Sequence, residues 1–128
     1  MKPFTERAIA VISSIPEGKV MTYGGVAAAA GSPRAARQVV RILHAMSRKY
    51  RLPWHRVVNA QGRIALQDAE DADRQRLYLL SEGIEFDERD LIPLDRYRFV
   101  PGEADELRAP EASGGGASAE GAPGPADG

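Results

Sequence analysis

A mainly α-helical domain with a small β-hairpin, arranged as a winged helix-turn-helix, is the fold class this sequence predicts. Three observations predict it. Two helical segments flank a short glycine-containing turn at Gly31, and the second of them carries one apolar and one basic face. A turn-forming stretch, Asn59-Ala60-Gln61-Gly62, then separates two short runs rich in β-formers.

Taken in order, Phe4, Ala8, Val11, Ile12 and Ile15 recur at helical spacing and predict a first amphipathic helix, stopped by Pro16-Glu17-Gly18. Lys19-Val20-Met21 reads as a short extended segment, and Thr22 as the N-cap of a second helix reaching Ala30. Gly31 suits the left-handed position after that helix. Ser32-Pro33 suit the N-cap and first residue of a third helix, running to about Met46. On this third helix Ala36, Val39, Val40 and Leu43 form the expected buried stripe. Arg34, Arg37, Arg41, His44 and Arg48, spaced by three and four, fall on the other side. Arg56-Val57-Val58 and Arg63-Ile64-Ala65-Leu66 are the expected hairpin strands, with Gly62 left-handed in their turn. A fourth helix is expected from Glu70 to Glu82, with Leu77, Leu80 and Ile84 inward and Gly83 as its stop. Asp90 to Val100 is expected to return along the domain with Tyr97 and Phe99 inward. Residues 1–101 are thus the expected domain. Residues 102–128, with seven Gly, seven Ala, three Pro and one large apolar side chain, Leu107, are expected to be a disordered acidic tail.

Composition excludes several chemistries. The sequence has no cysteine, which removes disulfides, thiolate metal sites and any cysteine nucleophile. Two histidines without cysteine make a poor ligand set, so neither metal nor cofactor is expected. No run approaches the ~18 apolar residues of a membrane span, and no secretion signal opens the chain. These absences are compatible with a cytoplasmic location, nucleoid-associated if the source is bacterial, and the expected protein is a monomer without a membrane partner.

The net charge of −1 conceals a strong segregation. Between Glu17 and Asp68 lie fifty residues with no acid and nine basic side chains, whereas ten of the eighteen acids fall between Asp68 and Asp95. Such polarisation suits a polyanion held on one face, and a basic second helix of a helix-turn-helix suits double-stranded DNA. The plain alternative is a solvated basic surface.

Five stretches then occur in a telling order: Ile15-Pro16-Glu17-Gly18-Lys19-Val20, Thr22-Tyr23-Gly24, Ala27 to Gly31, Ser32 to Val39 (Ser-Pro-Arg-Ala-Ala-Arg-Gln-Val), and Pro53-Trp54-His55-Arg56-Val57-Val58-Asn59. Through them the chain resembles, from about Phe4 to Phe86, the DNA-binding domain of the O6-alkylguanine-DNA alkyltransferases, and most closely their alkyltransferase-like relatives. The last stretch is similar to the Pro-Cys-His-Arg-Val active-site motif, with Trp54 where the acceptor cysteine belongs. The transferases use a thiolate to take the alkyl group, and an indole cannot replace it. The resemblance therefore implies a non-enzymatic protein that binds O6-alkylguanine in DNA by base flipping and passes it to another route, such as nucleotide excision repair.

It also implies residue roles. Tyr23 corresponds to the tyrosine that crowds the phosphate beside the target nucleotide, and Arg37 to the arginine finger that fills the gap left by the flipped base. Arg34, Arg41 and Arg48 are the further expected DNA contacts. Tyr23, Pro53, Trp54, His55, Val57 and Asn59 are the expected lesion pocket, with Trp54 packing on the alkyl group or base. His55 and Glu82 correspond to the histidine and glutamate that activate the missing thiol. Three positions depart from the pattern. Val40-Arg41-Ile42 replace small residues after the finger, an asparagine is missing around Met46, and Gln67 stands where transferases carry a pocket-closing tyrosine. Two other functions use the same residues: a sequence-specific winged-helix regulator reading DNA through the third helix, and a slow hydrolase using His55 and Glu82.

Overall fold

In the computed structural model, which describes residues 2–101, the elements run in this order: α1 (Pro3–Ser13), β1 (Met21–Thr22), α2 (Tyr23–Ala29), α3 (Ala36–Tyr50), a single 3-10 turn (Trp54–Arg56), β2 (Val57–Val58), α4 (Ala69–Ser81) and α5 (Leu94–Tyr97). The expected tail at 102–128 lies outside the described residues. The architecture is mostly helical with a small two-stranded sheet, as the sequence predicts, and α2 and α3 form the helix-turn-helix.

Local chemistry fixes the helix ends. Pro3 opens α1, where its missing N–H has no helical partner to lose. Thr22 caps α2 as expected, its hydroxyl accepting from the Gly25 N–H at 2.9 Å. The end of α2 is a Schellman motif: Ser32 N–H donates to Ala27 C=O at 2.9 Å and Gly31 N–H to Ala28 C=O at 3.0 Å, with Gly31 at φ +101°. Arg7 of α1 donates from Nε to the carbonyl of Ala30 at 2.6 Å, tying the two helices. The expected start of α3 at Ser32-Pro33 is corrected. Residues 32–35 make a turn closed by Ala35 N–H on Ser32 C=O at 2.9 Å, so the helix begins at Ala36 and continues past Met46 to Tyr50.

α3 and α4 end on the same motif. Gly83 takes the left-handed residue after α4, with Ile84 N–H on Leu79 C=O at 3.1 Å. After α3 that position is occupied by Arg51 at φ +53°, with Leu52 N–H on Ser47 C=O at 2.9 Å. A residue with a Cβ is strained there. Arg51→Gly is therefore expected to raise stability by up to ~1 kcal/mol, read as a higher chemical-denaturation midpoint.

The expected hairpin is replaced by a parallel pair. β2 lies beside β1 in the register Met21↔Val57 and Thr22↔Val58, while Arg63–Leu66 form no strand. The Asn59–Gly62 turn does form, Gly62 N–H donating to Asn59 C=O at 2.9 Å with Gly62 at φ +83°. The chain folds back only as far as Arg63, whose C=O accepts from the Asn59 N–H at 3.1 Å, and no ladder along β2 follows. Instead Gly62 C=O accepts from Ile92 N–H at 2.9 Å, and a Cβ at Gly62 would lie 2.4 Å from the Ile92 carbonyl oxygen. The reason is burial: Val57 and Val58 are both almost fully enclosed, and a strand covered on both faces suits a parallel pairing between core layers.

That pair divides two clusters of buried side chains. Met21 and Val57 join Ala8, Ile12, Val26, Val39 and Ile42 under α1–α3. Val20, just before β1, and Val58, the residue after Val57 on β2, join Leu79, Ile84, Ile92 and Tyr97. The return segment closes this second cluster. Val20 N–H donates to Tyr97 C=O at 3.0 Å and Phe99 N–H to Val20 C=O at 2.8 Å, and Tyr97 is buried as expected.

Two buried faces differ from expectation. On α3 the enclosed residues are Val39 and Ile42, and Val40 is exposed. On α4 they are Gln75 and Leu79, whereas Leu77 and Leu80 are 64% and 46% exposed. The Gln75 amide nitrogen donates to the carbonyls of His55 and Val57 at 3.1 and 3.0 Å. These bonds satisfy backbone acceptors beside the 3-10 turn and fix the rotation of α4 against it.

Candidate nucleic-acid interface

A cavity of about 820 Å³ opens between α3, the Pro53–Arg56 turn and α4. Its size is that of a small-molecule site. The Schellman end of α3 turns the chain sharply at Arg51-Leu52, and Pro53 leads directly into the turn that carries Trp54 and His55. The backbone geometry thereby sets Trp54 at the wall, half-buried. Tyr23, at the first position of α2, borders the same cavity, as do Pro53, His55 and Val57. Burial pushes the Tyr23 phenol above its ordinary range, so it is neutral at physiological pH.

Asn59, expected in this group, is elsewhere. Its side-chain oxygen accepts the N–H groups of Gln61 and Arg63 at 3.0 and 2.9 Å, capping its own turn. Asparagine in a turn makes such bonds readily, and that use outweighed its position in the motif.

Behind the cavity wall, His55 and Glu82 meet, Nε2 to Oε2 at 2.7 Å. Glu82 sits at the end of α4 and is shared. Arg56 donates from Nη2 and Nε to its carboxylate at 2.7 and 3.0 Å, and the Gly18 N–H donates at 3.0 Å. Arg56 also donates from Nη1 to the Ile15 carbonyl at 2.9 Å, linking the end of α1 to the 3-10 turn. Burial disfavours the ionised carboxyl, but the hydrogen bonds from Arg56, His55 and Gly18 outweigh it and hold the Glu82 pKa at about 2. His55 is lowered, because burial outweighs the hydrogen bond and charge of Glu82, which act to raise it, and Arg56 adds to the lowering. At neutral pH, then, Glu82 is ionised and the neutral imidazole donates to it.

Both shifts give acid sensitivity of one sign. Each group is depressed in the folded state, so the unfolded chain takes up protons first and stability falls as pH falls. For His55 the loss begins below the ordinary imidazole value of 6.5; for Glu82 it runs from the ordinary 4.5 down through about 2. Thermal melts across this range are expected to show both stages, and Glu82→Gln is expected to remove the second.

Along α3, Arg37, Arg41, His44 and Arg48 are exposed, with Arg34 on the turn before it. Arg48 and His44 reach the cavity rim. Among the described residues, Arg34, Arg37, Arg41 and Arg48 form no ion pair, whereas Arg74, Arg76 and Arg96 pair with Asp71, Asp90 and Glu85. Uncompensated charge is thus concentrated on the α3 side. Two cavity residues that sequence reading missed are Gln75 and Tyr78, both from α4. Their helical spacing with Arg74 and Asp71 was legible, but only with the rotation of α4 known.

A basic helix-turn-helix with a cavity at the end of its second helix, walled by a Pro-Trp-His-Arg-Val stretch, defines an alkyltransferase-type DNA-binding domain without its acceptor thiol. The chain belongs to the family described as 6-O-methylguanine DNA methyltransferase, DNA binding domain, which it matches over residues 3–84. It is 49% identical over 96 residues to the DNA base-flipping protein of Escherichia coli K12, covering 75% of this chain and 74% of that one. It is 36% identical over 106 residues to alkyltransferase-like protein 1 of Schizosaccharomyces pombe, covering 79% and 98%. Its fold is similar, at a TM-score of 0.67 and 33% identity over 77% of this chain and 96% of the other, to S. pombe Atl1 in complex with damaged DNA containing O6-carboxymethylguanine.

Proposed function

We propose that this protein recognises O6-alkylguanine in double-stranded DNA by rotating the damaged nucleotide into the cavity beside Trp54, leaves the alkyl group in place, and passes the lesion to another repair route such as nucleotide excision. Residues 1–101 form the binding unit. Arg34, Arg41 and Arg48 hold phosphates, Tyr23 crowds the phosphate at the target, and Arg37 fills the vacated stack. The observation that carries the reading is the juxtaposition of an arginine row without ion pairs among the described residues and a cavity of about 820 Å³, roomy enough for a flipped nucleotide, at the end of the same helix, where Trp54 replaces a nucleophile. The names and the damaged-DNA complex of the relatives point the same way.

The state of Glu82 supports a structural use of the His55–Glu82 pair. Its carboxylate is engaged by Arg56 and Gly18 as well as His55, which favours a fixed anchor over a base that trades protons. A regulator reading sequence through α3 would use the same arginines but has no use for the cavity. The two are separated at Arg41 and Arg48. Replacing either by Ala is expected to weaken binding to lesion-bearing and plain duplexes alike, and to reduce the salt-dependence slope by roughly one. A changed preference among undamaged sequences would favour the regulator.

The sole tryptophan provides the direct test. A duplex with one O6-methylguanine is expected to change Trp54 fluorescence at concentrations where the unmodified duplex does not. Equal responses to both would overturn the lesion reading.

A further inference from the structure

We propose that Tyr78 of α4 is the wall against which the flipped base is held, a role that rests on the lesion-pocket reading above. Its ring centroid lies 6.0 Å from that of Trp54, at an interplanar angle of 67°, and 5.3 Å from that of His55, at 71°. Trp54 and His55 are themselves edge to face, 6.2 Å apart at 87°. The three rings form an edge-to-face cluster at the cavity, and such a cluster gives a planar ligand aromatic partners in either stacked or edge-on geometry. Tyr78 borders the cavity and is 43% exposed, so part of the residue is open to a ligand. The purine of a flipped nucleotide has the shape and chemistry to cover it, because base–aromatic stacking needs only a π face.

The ring is carried on a helix held against rotation. Gln75, one turn earlier on the same helix, is bonded to the carbonyls on either side of Arg56, so α4 cannot rotate without breaking two hydrogen bonds, one of them buried. A rigid element therefore sets the spacing between Tyr78 and Trp54. The arrangement also accounts for Gln67, which stands where transferases carry a pocket-closing tyrosine. Gln67 is exposed and does not border the cavity, and an aromatic side is supplied from α4 instead.

The test compares the full chain with Tyr78→Ala, Tyr78→Leu and Tyr78→Phe, titrated with a duplex carrying one O6-methylguanine and with its unmodified match. The wild type is expected to prefer the lesion. Tyr78→Ala and Tyr78→Leu are expected to lose about tenfold or more in affinity for the lesion duplex, with plain-duplex affinity and melting temperature nearly unchanged. Tyr78→Phe, which keeps the ring, is expected to bind as wild type does. If the Ala variant fails to fold, the Leu variant carries the comparison. Three results would overturn the role: lesion preference retained without the ring, equal losses on both duplexes, or Tyr78→Phe failing like Tyr78→Ala. A wild type without lesion preference would instead overturn the pocket reading itself.

Discussion

Replacing Glu82 by Ala is expected to lower the free energy of unfolding by about 3 kcal/mol, because it strips a largely enclosed charge cluster of its anion. The side chains of Arg56 and Glu82 are 17% and 10% exposed, so water compensates only in part for the lost pairing. Arg56 would retain its bond to Ile15 C=O but lose its carboxylate, and His55 and the Gly18 N–H would lose their acceptor. For a domain of this size the corresponding fall in melting temperature is roughly 15 °C. Because Glu82 ties the end of α4 to the turn carrying Trp54, the variant is also expected to loosen the cavity wall, visible as a red-shifted Trp54 emission. Melting curves that coincide with those of the wild type would show that the cluster contributes no net stability.

Arg37→Ala is expected to act on function and leave the fold alone. Arg37 lies in the first turn of α3, exposed and, among the described residues, in no ion pair. Extruding a nucleotide costs a few kcal/mol of unstacking and unpairing. A guanidinium in the gap recovers part of that through stacking and charge-assisted hydrogen bonds to the orphaned base, each worth about 1.5–3 kcal/mol. Losing it should reduce the flipped population by roughly tenfold or more. Affinity for undamaged duplex should fall much less, by about one phosphate contact. A fluorescent purine placed at the lesion reads the flipped fraction directly. Equal losses in flipping and in plain binding would make Arg37 an ordinary phosphate contact.

Much of the fold was legible where a local rule had a strong residue to act on. Thr22 capped α2, and Gly31, Gly62 and Gly83 each took the positive φ that the sequence assigned them. The ends of helices were harder where a weaker choice was made. Ser32-Pro33 has the chemistry of a helix start, yet the two Schellman bonds beside it commit those residues to the connecting turn. The parallel β1–β2 pair was invisible because the strands are two residues long and lie far apart in sequence, and the nearest turn pointed to a hairpin instead. On α4, counting leucines gave the wrong face. Gln75 is buried because two backbone carbonyls need its amide, a tertiary demand that no periodicity records.

The site divided in the same way. Tyr23, Pro53, Trp54, His55 and Val57 were legible because the motif stretches are contiguous, and the cavity is bordered by all five. Asn59 was placed in the expected pocket as the last residue of the motif stretch, and its side chain serves its own turn. Tyr78 was missed for the converse reason. It lies more than twenty residues from Trp54 in the sequence, and only the rotation that buries Gln75 turns it toward the cavity.

Recognition without repair is most directly tested by incubating the wild-type protein in excess with a duplex containing one O6-methylguanine, measuring affinity against the unmodified match, and then analysing the recovered base and the protein by mass spectrometry. A lesion sensor is expected to bind the damaged duplex more tightly, to return the base as O6-methylguanine at every incubation time, and to gain no mass itself. Recovery of unmodified guanine, or a methyl group carried on the protein, would contradict it.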